Sequence, residues 1–212
     1  MEQIERNNVV MKSEHTRKKM SIQTLTKVAM LAAVAGVLML FEFPLWFAPS
    51  FYKLDFSELA VMIGALSMGP LAGAAIEGIK ILLNFVLNGT ITGGVGELGN
   101  FLIGCSFVVP AAWVYGKNRT LKGMVLGMAA GTCMMVLLGS VINYFILLPV
   151  YATVFGQPLE FFVQMGNVLH PAIVDLKTLI LFAVAPFNLL KGILIGVLTF
   201  FIYRKLARQL EQ

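Results

Sequence analysis

The sequence predicts an all-α integral membrane protein, a bundle of six transmembrane helices with both termini in the cytoplasm. Three observations lead there. Hydrophobic residues make up 58% of the 212-residue chain, charged residues only 13%, and mean hydropathy is +0.83, a balance foreign to soluble domains of this size. Apolar runs near the roughly 18–20 residues that cross a hydrocarbon core about 30 Å thick recur along the chain. Basic residues gather at the two ends and in one internal loop, which is how membrane segments are held in a fixed orientation. The net charge of +5 is therefore a topology signal and implies no nucleic-acid partner.

Residues 1–23 form a polar, basic tail carrying Arg6, Lys12, Arg17, Lys18 and Lys19. The tail has neither an early apolar core nor a small-residue cleavage site, so it reads as cytoplasmic and not as a signal peptide. The membrane domain spans 24–205, with hydrophobic segments at 25–47, 57–69, 71–88, 98–116, 122–148 and 179–203, and residues 206–212 form a second tail. Breaks fall at Pro, Gly or clustered charge. The second and third segments are short and parted only by Gly69-Pro70, which leaves counts of five or seven open. With six spans, the tails and the loop at Lys117, Arg119 and Lys122 share one side, together with Lys27, Arg204, Lys205 and Arg208. That side is the cytoplasm. Lys53 and Lys177 fall in opposite loops, whereas Lys80 and Lys191 lie inside spans.

Several chemistries are excluded or disfavoured. Cys105 and Cys133 lack C-x-x-C spacing and read as small core residues. His15 and His170 complete no cluster of metal-ligand spacing. No G-x-x-x-x-G-K-[ST] occurs, so the chain has no P-loop for ATP. Small residues recur every four positions, at Gly123, Gly127 and Gly131, at Gly192 and Gly196, and at Ala29 and Ala33. Such spacing lets membrane helices approach closely; for Ala29 and Ala33, docking onto another membrane subunit is the second reading.

Function is sought among buried polar residues, because Lys or Asp at a helix centre costs about 2.5–3.5 kcal/mol on insertion scales. Four groups qualify: Lys53, Asp55 and Glu58 after the first span; Glu77, Lys80 and Asn84 on one helical face; Glu97 and Asn100; and Asn143 with Asn188 and Lys191. Glu77 and Lys80 can neutralise each other one turn apart. Glu97 can serve the positive end of its helix, and Asn143 can cap or bridge helices. Asn188 and Lys191 share one face of the last span with no acid within that helix's reach, so the lysine's partner lies elsewhere in the fold or in a ligand. The long outer connection 149–178, with Tyr151, Phe155, Phe161 and Phe162, has the length of a lid or binding loop. Together these segments describe an aromatic slot with a few orienting polar groups on the external side.

The motifs KLDFSEL, GPLAGAAIEGIKILLN, GELGNF, INYFILLPVY and APFNLLKG, in that order and spacing, resemble the riboflavin-specific substrate-binding membrane subunits (S components) of energy-coupling factor (ECF) transporters. The resemblance covers about residues 24–205 and implies a six-helix bundle. It also implies riboflavin as transported ligand with no cofactor, and a transmembrane coupling subunit (T component) with two ABC-type ATPases as partners. By the same resemblance Asn188, Lys191, Asn143 and Glu58 bind the vitamin, with Asp55, Leu54 and Phe56 beside them in the KLDFSEL segment. Glu58 is then the counter-ion of Lys191 in the empty site, and Ala29 and Ala33 match the A-x-x-x-A docking pattern. The chain would be a binding subunit and not an enzyme. The alternatives are an S component for thiamine, biotin or a folate, and an intramembrane enzyme using Glu77 or Glu97, for which no paired catalytic motif is present.

Overall fold

The computed structural model describes residues 22–210, without side-chain detail for 206–210; the expectations for the basic tail before residue 22 and for residues 211–212 lie outside these. The first hydrophobic segment forms α1 (Ile22–Met39). It ends earlier than expected, because residues 40–56 turn back as a loop pinned by a two-residue antiparallel ladder, β1 (Phe43–Pro44) with β2 (Lys53–Leu54). Then come α2 (Ser57–Met68), α3 (Pro70–Asn88) and α4 (Val95–Lys117). Next, α5 (Leu121–Ile142) continues through a π-helical turn, Asn143–Leu147, into α6 (Leu148–Phe155). After α7 (Leu159–Leu169) and the short α8 (Leu176–Leu179), a second π turn, Ile180–Val184, leads into α9 (Ala185–Leu210).

Among the described residues, five stretches are long and apolar enough to cross a membrane: Ile22–Met39, Pro70–Asn88, Val95–Lys117, Leu121–Phe155 and Leu176–Lys205. The remaining expected span, 57–69, is α2. Its 12 residues rise only about 18 Å at 1.5 Å per residue, short of the about 30 Å of a hydrocarbon core. Gly69, at φ 100°, separates α2 from α3, and Pro70 opens α3 at its first turn, where the missing N–H costs nothing. α2 is sunk in the bundle, and α3 packs one face closely against it. A Cβ at Gly73 would stand 2.5 Å from that of Ala65, and one at Gly64 would stand 2.2 Å from Ile76 Cδ1.

The repeated glycines join α4 to α5. A Cβ at Gly127 would lie 2.5 Å from the Ala111 carbonyl oxygen, and one at Gly131 2.2 Å from that of Phe107. Backbones this close gain dispersion and weak polar contacts where lipid offers no hydrophobic drive. A Cβ at Gly192 of α9 would likewise stand 2.6 Å from Thr132 Cγ2 of α5. The principal core holds Val28, Val61, Met62, Ile76, Phe107, Met135 and Ile195. Ala29 and Ala33 point outward from α1, as do Leu25, Met30, Val34 and Val37. The core reading of the cysteines is corrected: Cys133 is exposed and Cys105 half-buried, since the α5 face carrying Cys133 looks away from α4.

Candidate functional site

A cavity of about 280 Å³ opens between the 40–56 loop, α2, α4, the π turn after α5, α6, α7 and α9. Small-molecule pockets run upward from about this size. Its aromatic wall comes from Phe51, Tyr52, Tyr151, Phe155, Phe162 and Phe187. Tyr52 and Phe187 meet with ring centroids 5.6 Å apart, and Phe51 meets Phe162 edge-on at 5.7 Å. Connection 149–178, expected as a loop, is largely the helices α6 and α7 turned about Gly156 at φ 62°. Tyr151, Phe155 and Phe162 therefore reach the cavity from helical faces, whereas Phe161 does not line it.

The polar groups singled out in the sequence converge here. Asp55, Glu58, Asn143, Asn188 and Lys191 all line the cavity, with Asn84, Glu97 and Asn100. Lys191 Nζ of α9 lies 3.1 Å from Asp55 Oδ2 and 3.8 Å from Glu58 Oε1. Glu58, the expected counter-ion, is thus within ion-pair reach of Lys191, with Asp55 nearer, because Glu58 is also drawn to Lys80 Nζ at 2.9 Å. Lys80 also holds Glu77, one turn back on α3, at 2.7 Å. Lys80, Glu77 and Glu58 are almost wholly buried, so each charge depends on its partners in a medium of low dielectric. Gly104 makes the space: a Cβ there would stand 2.3 Å from Glu77 Oε1 and 3.2 Å from Glu58 Oε1. Glu58 Oε2 is buried without a hydrogen bond.

Asp55 is fixed locally as well. Its Oδ1 accepts from the Ser57 backbone N–H at 2.8 Å and from the Ser57 hydroxyl, a side-chain-to-backbone bond typical of a helix entry. Burial pushes its carboxyl up. The ammonium of Lys191, then that of Lys80, and the two Ser57 bonds more than offset this and hold it down at about 2. A depressed carboxyl stays ionised through its ordinary range and loses its stabilising pairing only as pH falls through that low value; at neutral pH Asp55 is a carboxylate.

Leu54 and Phe56 are not on the cavity wall. Leu54 packs with Ala48 and Phe187, and Phe56 packs against the main core and Phe43. Extended backbone turns alternate side chains to opposite sides, so Lys53 and Asp55 face the cavity and Leu54 between them faces away.

The two asparagines differ. Asn143 opens the π turn, a register shift often found at functional sites. Its Nδ2 donates to the Gly139 carbonyl at 2.8 Å, and its Oδ1 accepts from the Tyr52 hydroxyl at 2.7 Å. Asn188, only 4% exposed, has no hydrogen bond to any described residue, and its side chain lines the cavity. Gly139 leaves room for it, since a Cβ there would lie 2.7 Å from Asn188 Nδ2. Sequence reasoning passed over Gly139, Gly104, Tyr52, Thr92 and Phe187. The glycines carried no signal, because their role depends on what the neighbouring helix places opposite them.

Comparison with known proteins adds the following. A family model described as the substrate-specific component of ECF transporters matches residues 23–203. The riboflavin transporter FmnP of Bacillus subtilis (strain 168) is 37% identical over 196 residues, covering 91% of this chain and 96% of the relative. The riboflavin transporter RibU of Staphylococcus aureus (strain TCH60) is 33% identical over 199 residues, covering 92% and 98%. A solved structure described as the S component of a bacterial ECF transporter superposes with a TM-score of 0.71 at 32% identity, over 90% of this chain and 98% of that one.

Proposed function

The chain belongs to the substrate-specific components of ECF transporters, and on that premise we propose that it is the riboflavin-capturing subunit of a vitamin uptake system. One observation carries the reading: the buried amide of Asn188 lines an aromatic cavity with no hydrogen bond to spend on the protein. A flat heteroaromatic ligand whose edge alternates acceptors and donors suits it, because an amide offers both a carbonyl and an N–H₂. Lys191 and the free Nδ2 proton of Asn143 add donors to the same wall, and Tyr52, Phe187 and Phe162 supply ring faces. The names of the relatives agree with this ligand.

In this reading the chain crosses the membrane with both termini cytoplasmic, and α2 completes the six-helix bundle. The cavity faces the external side. Transport energy comes from a T component and two ABC-type ATPases, since the chain carries no phosphate-binding loop, and the chain itself catalyses nothing. The test is to purify the protein and titrate it with riboflavin, thiamine, biotin and folate, following flavin fluorescence or ligand-induced melting shifts. Saturable one-to-one binding of riboflavin alone is expected. Stabilisation by one of the others with none by riboflavin would overturn the assignment of substrate.

A further inference from the structure

The cavity has two chemically different ends. Around Lys191, every acid of the wall is paired with a lysine: Asp55 with Lys191, Glu58 with Lys80, and Glu42 with Lys53 near the rim. Glu97 is the exception. It lies in the first turn of α4 and lines the cavity. Its Oε2 accepts hydrogen bonds from the hydroxyls of Thr90 and Thr92, each at 3.1 Å. No cation pairs with it among the described residues, and its Oε1 carries no hydrogen bond there. Thr92 is itself buried, and Tyr151 Oη sits 3.0 Å from where a Cβ of Gly96 would stand, so this end is a small cup of hydroxyls around one uncompensated carboxylate. Asn100, three residues on and on the same helical face, also lines the cavity.

The separation of the ends follows from the helix. Glu97 is seven residues from Gly104, the position that lies against Glu58, so the ends stand about 10 Å apart along α4 at 1.5 Å per residue. A ligand whose flat edge is met by Asn188 and Lys191 therefore presents its other extremity to Glu97. For riboflavin that extremity is a chain of hydroxyls. A carboxylate accepts hydrogen bonds and donates none, so hydroxyls suit Glu97. A phosphate ester does not, because it brings about −1.5 to −2 charges at neutral pH into a partly desolvated cup already holding one.

Resting on the riboflavin reading, the geometry points to Glu97 as the residue that sets specificity for the free vitamin over its phosphate ester, accepting from the terminal hydroxyls and repelling the phosphate. Glu97 also offsets the positive end of α4. Its removal would leave a helix N-terminus and two threonine hydroxyls, groups that suit a phosphate.

The test titrates purified protein with riboflavin, riboflavin phosphate and the bare tricyclic ring lacking the polyol chain. In Glu97→Gln, riboflavin affinity should fall about threefold to tenfold, as for one lost hydrogen bond. The ratio of ester to vitamin dissociation constants should narrow by at least about tenfold, and binding of the bare ring should not change. Glu97→Asp, which keeps the charge, should keep the preference, and Asn100→Asp, which adds a second carboxylate to the same face, should widen it. A ratio unmoved in both Glu97→Gln and Asn100→Asp overturns the assignment, as does a loss for the bare ring equal to that for riboflavin. Should Glu97→Gln fail to fold, Asn100→Asp decides alone. Failure of the unaltered protein to bind riboflavin would count against the substrate and is seen before any variant is made.

Discussion

Asn188 shows how a single side chain can reveal a site. Leucine at that position would insert more favourably, and the amide makes no bond within the described protein that would compensate. Asn188→Leu should therefore leave expression and unliganded thermal stability equal to or above those of the parent. Riboflavin affinity should fall at least about tenfold, in line with about 1–3 kcal/mol for a directional bond lost at a desolvated site. Fluorescence quenching alongside a melting curve checks both, and unchanged affinity with a lowered melting temperature would remove Asn188 from the site. Asn143, Asn188 and Lys191 were legible in the sequence because polar groups in apolar runs are costly and stand out against their neighbours. Leu54 and Phe56 were drawn in by adjacency to Asp55, but both side chains pack into apolar clusters away from the cavity wall. Glu58 as partner to Lys191 was half legible: the acid is close, but Lys80 holds it more tightly than Lys191 does, a competition between two lysines that no linear spacing displays.

Among the elements, length and apolarity made the long helices readable. The π turns at Asn143–Leu147 and Ile180–Val184 were not, because they arise from packing and leave no periodicity in so short a stretch. Each lies just before or at the asparagine that its helix contributes to the cavity. Connection 149–178 was misread as a loop because Gly156 and Pro158 interrupt it, yet each half is apolar enough to pack as a helix on the apolar cluster of Leu148, Phe162 and Leu179. Gly139 ties the elements together, since its carbonyl accepts from Asn143 and its missing Cβ admits Asn188. Gly139→Ala should accordingly push α9 or the Asn188 amide aside. Riboflavin binding should weaken by about tenfold or more, although alanine favours the helix by about 1 kcal/mol over glycine. Equal affinities for parent and variant in the same titration would show that the close approach is not needed.

For the whole molecule, the outward face of α1 is the feature without an internal role. Ala29 and Ala33 leave a shallow strip between larger exposed side chains, suited to the close helix approach expected for a coupling subunit. Replacing both with leucine should reduce co-purification of the T component by about tenfold or more while leaving riboflavin affinity within about twofold, because neither residue lines the cavity and contact energies at separated sites add independently. Capture of the T component at parental levels by the double variant would place the docking surface elsewhere. The cavity itself carries a further consequence, through the contacts Tyr52 makes with Asn143 and Asp55 makes with Lys191. Both come from the 40–56 loop, and both occupy polar groups that an incoming vitamin would claim. The loop thus competes for these groups: it holds them through its own side chains, and a ligand that claimed them would gain only the difference between its own bonds and those it displaces.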